Sequence, residues 1–125
     1  MSIDSGLGSA GIALAWVAFF VASVGGHIAL TLQTRAAPLP HSLAEAARFA
    51  VAPWTLLCLV CWAASTVLWV TLLDKHGLLR ASSVSSLRYV LIAVAAAVVL
   101  REQFGARDVA GAALIAAGVW LVAVR

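Results

Sequence analysis

Charge is scarce in this chain, and the scarcity decides its class. Lysine, arginine, aspartate and glutamate make up 10% of the 125 residues against 64% apolar ones, and the mean hydropathy is +1.07. Soluble domains carry about 25% charged residues, so a soluble globular domain is excluded and an integral membrane protein is implied. Acidic residues are missing altogether from four apolar runs of helical length, at about 11–32, 53–73, 79–100 and 109–124. Each run approaches the ~20 residues that a spanning helix needs. Lipid offers no partner to a backbone N–H or C=O, so such runs must be helices. The last run is the shortest, and it is expected to start a turn early or to sit in a locally thinned bilayer. The expected fold is an all-α membrane protein, a bundle of four transmembrane helices forming a single domain over residues 1–125.

Other absences narrow the function. The first residues, Met1-Ser2-Ile3-Asp4-Ser5, lack a basic region and a small-residue cleavage site, so the first apolar run is expected to be a retained helix. The net charge of +3 and the pI near 9.5 come from basic residues spread along the chain. Without a cluster they do not suit nucleic acid. Lys75, Arg80 and Arg125 fall on one side of the expected bundle and Arg35, Arg48, Arg101 and Arg107 on the other. A margin of one does not fix orientation, so the chain is expected to insert both ways or to be set by a partner or the translocon, with loops in and termini out the favoured arrangement. Cys58 and Cys61 stand as C-x-x-C within an apolar run and lack a second pair, so they read as buried small side chains. No nucleophile, base or metal constellation is present, so no enzyme activity, cofactor or metal is expected.

What is present stands out against that background. Arg88 is the one charge near the middle of an apolar run, about 13 Å along a helix that crosses a layer ~30 Å thick. A guanidinium at that depth costs roughly 3 kcal/mol on insertion scales and marks a functional site by default. Snorkelling is the alternative, but a side chain reaching about 6–7 Å falls short of the interface. Ser82, Ser85, Ser86 and Tyr89 share an arc of the same helix with Arg88 at its edge. Hydroxyls beside a planar fork of donors suit phosphate or carboxylate. The counter-ion of Arg88 must come from outside the apolar runs: a ligand, a lipid phosphate, backbone carbonyls or a carboxylate on another subunit.

On the first helix Ser23, His27, Thr31 and Thr34 form a polar stripe beside Gly25 and Gly26. The hydroxyls can bond back to carbonyls while the glycines admit a neighbouring helix, or His27 can face a polar cavity as a donor or titrating group. Pro38 and Pro40 should stop this helix, and Ser42-Leu43-Ala44-Glu45 has the capping-box pattern of a short amphipathic helix over about 43–52, lying at the interface. Trp54 and Trp69 suit the two interfaces as anchors, and Trp62 suits packing or lipid. A tight connection, Asp74-Lys75-His76-Gly77, with Gly77 as C-cap, makes the second and third helices antiparallel neighbours.

Along the tail, LREQFGARDVAGAALIAAGVWLVAV, Gly111 and Gly118 lie seven apart on one face with Ala113 and Ala117, a surface of small residues fit for close helix packing. Glu102, Gly111, Leu114, Ile115, Ala117, Gly118 and Val119 make this tail resemble the end of a repeat in the drug/metabolite transporter superfamily. In its small multidrug resistance family the matching surface joins two four-helix subunits. The resemblance therefore implies a homodimer, or a heterodimer with a paralogous chain, through Gly111, Ala113, Ala117 and Gly118. The proton-coupling glutamate of that family is replaced near Ser23. Ser23-Val24-Gly25-Gly26-His27, Val67-Leu68-Trp69 and Ser86-Leu87-Arg88-Tyr89 are instead similar to segments of the small subunits of the aminoarabinose-lipid flippase, where an asparagine stands at the place of Arg88.

This resemblance implies lipid transport in a bacterial inner membrane, with a membrane lipid or lipid-linked sugar as partner. The expectation is a transporter or flippase subunit for an anionic amphiphile such as a polyprenyl-phosphate-linked sugar. Arg88 would hold phosphate, Ser82, Ser85, Ser86 and Tyr89 would line the head-group path, and His27 and Ser23 would face it. Two rivals are an exporter of small cationic solutes, which needs a membrane carboxylate, and a non-transporting accessory subunit of a membrane glycosyltransferase.

Overall fold

The structure, a computed structural model, describes residues 8–124. The amino-terminal segment 1–5 and Arg125, both used in the sequence reading, lie outside the described residues. All the regular elements among the described residues are helices: α1 (Ser9–Ala36), α2 (Leu43–Ala50), α3 (Pro53–Ser85), α4 (Leu87–Val99) and α5 (Ala106–Ala123). Three stretches are long and apolar enough to cross a membrane: α1, the 47 residues of Pro53–Val99, and α5. The chain is thus an all-α protein with the helices of a membrane protein.

Local chemistry explains most boundaries. α1 runs further than the apolar stretch 11–32, because Thr31 and Thr34 turn their hydroxyls onto the carbonyls of His27 and Thr31, at 2.9 and 2.8 Å. It ends at Ala36, since Pro38 drives Ala37 to extended backbone, φ −142° and ψ 145°. α2 starts at Leu43 as expected: the Ser42 hydroxyl accepts from the Glu45 N–H at 3.2 Å. The Glu45 carboxylate reaches the N–H of His41 at 2.8 Å, one residue further back than a capping box requires. No residue of α2 is buried, and Leu43 is 89% exposed. Its apolar face therefore remains available to an interface. α3 opens on Pro53 in the first turn, where a missing N–H costs nothing. α5 begins three residues before the expected 109, with the Asp108 carboxylate accepting from the Gly105 N–H at 2.8 Å.

Two expectations for the middle of the chain are corrected. The expected connection Asp74-Lys75-His76-Gly77 is replaced by one residue: helix continues through His76 and resumes at Leu78, with Gly77 alone at φ 74° and ψ 163°. The partners of α1 show what that residue does. Along 53–76 they run backwards, with Trp16 against His76, Phe19 against Trp69 and His27 against Trp62. After Gly77 they run forwards, from Ser23 with Arg88 to Arg35 with the Leu100 carbonyl. The chain therefore doubles back at Gly77. The second correction is that 79–100 is not one helix. Ser86 interrupts it: its N–H bonds the Ser83 carbonyl and its own carbonyl takes the Tyr89 N–H, both three residues apart. This is a 3₁₀-like tightening where Ser83, Ser85 and Ser86 all bond back to carbonyls three or four residues before them. Serines that back-bond in this way bend helices.

Apolar side chains gain little by leaving lipid for protein, so close contact must hold such a bundle. A hydrophobic core of Ala15, Phe19 and Leu72 is ringed by Trp16, Phe20, Leu68 and Trp69 near the Gly77 end. At mid-length, a Cβ on Gly26 would stand 2.5 Å from the Trp62 indole, so glycine there admits the ring. Trp62 is thereby a packing residue, and Trp69, expected at an interface, lies against Phe19 at 5.7 Å.

The backbone of Gly77 sits in a region that is essentially glycine-only, where strain costs of order 1–3 kcal/mol. A Cβ there would meet nothing within 4 Å, so the whole cost is conformational. Gly77→Ala is expected to lower stability in detergent by about that amount. Gly77→Asn should give no rescue, because asparagine relieves the left-handed helical region and not ψ near 163°. Thermal unfolding of both variants checks this.

Candidate functional site

The doubling back at Gly77 brings Arg88 of α4 against the middle of α1. Its guanidinium Nη1 donates to the hydroxyl of Ser23 at 3.3 Å, a long bond for a charged donor. Ser23 is almost fully buried, at 2% exposure. The guanidinium carbon lies 5.5 Å from the Tyr89 ring centroid, within cation–π range. Arg88 Nε is buried and has no acceptor among the described residues. Among the described residues, Arg88 is thus not paired with a carboxylate.

Beside it lies a half-open cavity of about 270 Å³ lined by Phe19, Ser65, Thr66, Trp69, Ser85 and Arg88. α1 supplies an aromatic wall, the first limb of α3 supplies two hydroxyls and an indole, and the charge comes from α4. The Thr66 hydroxyl donates to the Trp62 carbonyl at 2.9 Å and the Ser85 hydroxyl to the Ser82 carbonyl at 2.9 Å. Both oxygens keep lone pairs for the cavity. The cation with free donor capacity and the flanking aromatic faces suit an anion carrying a polar, partly apolar body.

The expected site residues divide among different surroundings. Arg88 and Ser85 line the cavity, and Ser23 is bonded to Arg88. Ser82 and Tyr89 are exposed, and Ser86 is half-buried at the helix break. His27 stands edge-on to Trp62, ring centroids 5.4 Å apart, one turn beyond Ser23. Ser65, Thr66, Phe19 and Trp69 had no signal in local spacing, since their common wall comes from contacts between helices far apart in sequence. The one usable signal was the adjacent pair of hydroxyls, Ser65-Thr66, in an apolar run.

Two further sequence features are placed. Glu102 pairs with Arg35 at 2.8 Å, while Arg35 also donates to the Leu100 carbonyl at 3.1 Å, tying the end of α1 to the end of α4. Gly111 and Gly118 on α5 have no neighbour within 4 Å of an added Cβ, and Gly118, Ala113 and Ala117 are exposed. Only 6% of the apolar window of α5 is buried. The small-residue face is therefore uncovered in the single chain. No family model, curated protein or solved structure matches the chain.

If Arg88 held the bundle together, removing it would loosen the fold. Its insertion cost is roughly 3 kcal/mol, against roughly 1.5–3 kcal/mol for a hydrogen bond to a charged group, less at 3.3 Å. Arg88→Met is therefore expected to leave thermal stability in detergent unchanged or raised by up to about 1–2 kcal/mol. A clear fall in melting temperature would make the arginine a structural strut.

Proposed function

We propose that the chain is a transporter or flippase subunit for an anionic amphiphile such as a polyprenyl-phosphate-linked sugar, with Arg88 holding the phosphate. One observation carries this: a cation just after the helix break at Ser86, with a spare donor, borders a hydroxyl-lined cavity, while none of the apolar runs contains an acidic residue. A cationic substrate would meet repulsion and no carboxylate at that place, which disfavours an exporter of cationic solutes. No covalent step belongs to the proposed activity.

In this proposal the chain crosses the membrane four times. Pro53–Val99, at ~1.5 Å per residue, would extend about 70 Å as a straight helix, over twice the ~30 Å hydrocarbon layer. The reversal at Gly77 divides it into two limbs of spanning length. Two chains associate through the open face of α5 around Gly111 and Gly118, where close approach of backbones replaces a hydrophobic driving force. If the tail's resemblance to drug/metabolite transporters reflects kinship, it implies the same pairing and a bacterial inner membrane. The sugar and phosphate cross through the polar cavity while the hydrocarbon chain stays outside it.

Reconstituted vesicles test the activity directly. Arg88→Ala is expected to abolish movement of a polyprenyl-phosphate-linked sugar while the dimer still forms; unchanged transport would overturn the assignment. Gly118→Leu should weaken association by overfilling the α5 face, read by crosslinking in membranes, and an unaffected oligomer would reject that interface.

A further inference from the structure

A second space, lined in part by sequence neighbours of the residues of the Arg88 cavity, has the opposite character. It is an open groove of about 480 Å³ between α1 and α4, its walls including Phe20, Val24, Leu91, Val94, Ala95 and Val98. Every residue lining it is apolar. Leu91, Val94 and Val98 are 41–73% exposed, so the groove opens to the outside of the bundle. The two spaces adjoin along the chain. Phe19 lines the polar cavity and Phe20 the groove; Arg88 lines the cavity, and Leu91, one helical turn later, the groove. Ser23, the partner of Arg88, stands between Phe20 and Val24. From Leu91 to Val98 the groove follows α4 for about 10 Å, away from the cation.

We infer that this α1–α4 groove binds the hydrocarbon chain of the same lipid whose phosphate pairs with Arg88, so that one molecule straddles the Arg88–Ser23 contact. This rests on the phosphate assignment and adds to it a seat for the chain. The charge at one end selects the occupant: a second protein helix filling the groove would bring no anion to Arg88, whereas a lipid phosphate brings anion and chain together. Packing of the chain against Ala95 and Val98, in place of disordered lipid, then supplies selectivity for chain length through contact and shape.

Binding of methyl phosphate and farnesyl phosphate to the reconstituted protein tests this. The wild type should bind farnesyl phosphate about tenfold more tightly or better. Ala95→Phe, which fills the groove, should lose that advantage and keep its affinity for methyl phosphate, which also reports an intact fold. Should Ala95→Phe not fold, Val98→Trp on the exposed rim carries the same test. Arg88→Gln should lose both ligands. An unchanged preference for farnesyl phosphate in the groove variants overturns the groove and leaves the Arg88 assignment standing. Unchanged binding of both ligands by Arg88→Gln overturns that assignment itself. Efficient crosslinking of two chains through Val94→Cys would also overturn the inference, by placing a second copy in the groove.

Discussion

The arrangement depends on a one-residue reversal. Gly77 turns the chain with no loop around it, so the register of the two limbs against α1 is fixed by a single backbone conformation. With His76 held at Trp16 by a 3.3 Å hydrogen bond just before the turn, α4 can only follow α1 forwards, and Arg88 falls opposite Ser23. A connection longer by even one residue would turn the arriving helix by about 100°. Arg88 would then point away from the cavity between α1 and α3. Close packing is concentrated on the same pair of helices, through Gly26 and Trp62 at mid-length and Phe19 and Leu72 near the turn.

Arg88 sits poorly from the standpoint of stability, and the surroundings explain how it is tolerated. The Ser23 hydroxyl, the Tyr89 ring and a half-open polar cavity lower the cost of its charge without neutralising it. Arg35 makes the contrast. It lies near the end of α1, pairs with Glu102 and a carbonyl, and closes the bundle at that end. One arginine has its acid and the other does not, and the sequence places that difference outside and inside the apolar runs.

Much of the frame was legible because local chemistry dictates it. Pro38 marks the end of α1 and the Ser42 cap the start of α2, the apolar run from 53 marks the start of α3, and α5 starts about a turn before its run, as the shortness of that run implied. Arg88 was legible by its isolation. The company it keeps was not, for two physical reasons. Helical spacing put Ser82, Ser85, Ser86 and Tyr89 on one arc, but the tightening at Ser86 changes the turn from 3.6 toward 3.0 residues. Residues before and after it no longer share a face, and Ser85 and Tyr89 part company. Ser65 and Trp69 come to Arg88 only through the reversal at Gly77, whose glycine was visible while its φ was not.

The unpartnered Nε of Arg88 would, under the proposed function, link ligand and fold in a way a paired arginine could not. In the proposed transporter, an anion in the cavity would engage a donor that the bundle leaves unused, and the resulting neutral pair would remove part of the insertion cost of the charge. Anything that binds the folded state alone stabilises it by mass action. In the proposed transporter the same pairing limits how tightly substrate can be held, since the Ser23 bond is long and the cavity half-open. A carboxylate beside Arg88 would stabilise the empty bundle and compete with the phosphate at every cycle. Its absence keeps the guanidinium available, and the hydroxyls of Ser23, Ser65 and Ser85 soften the field without competing for charge.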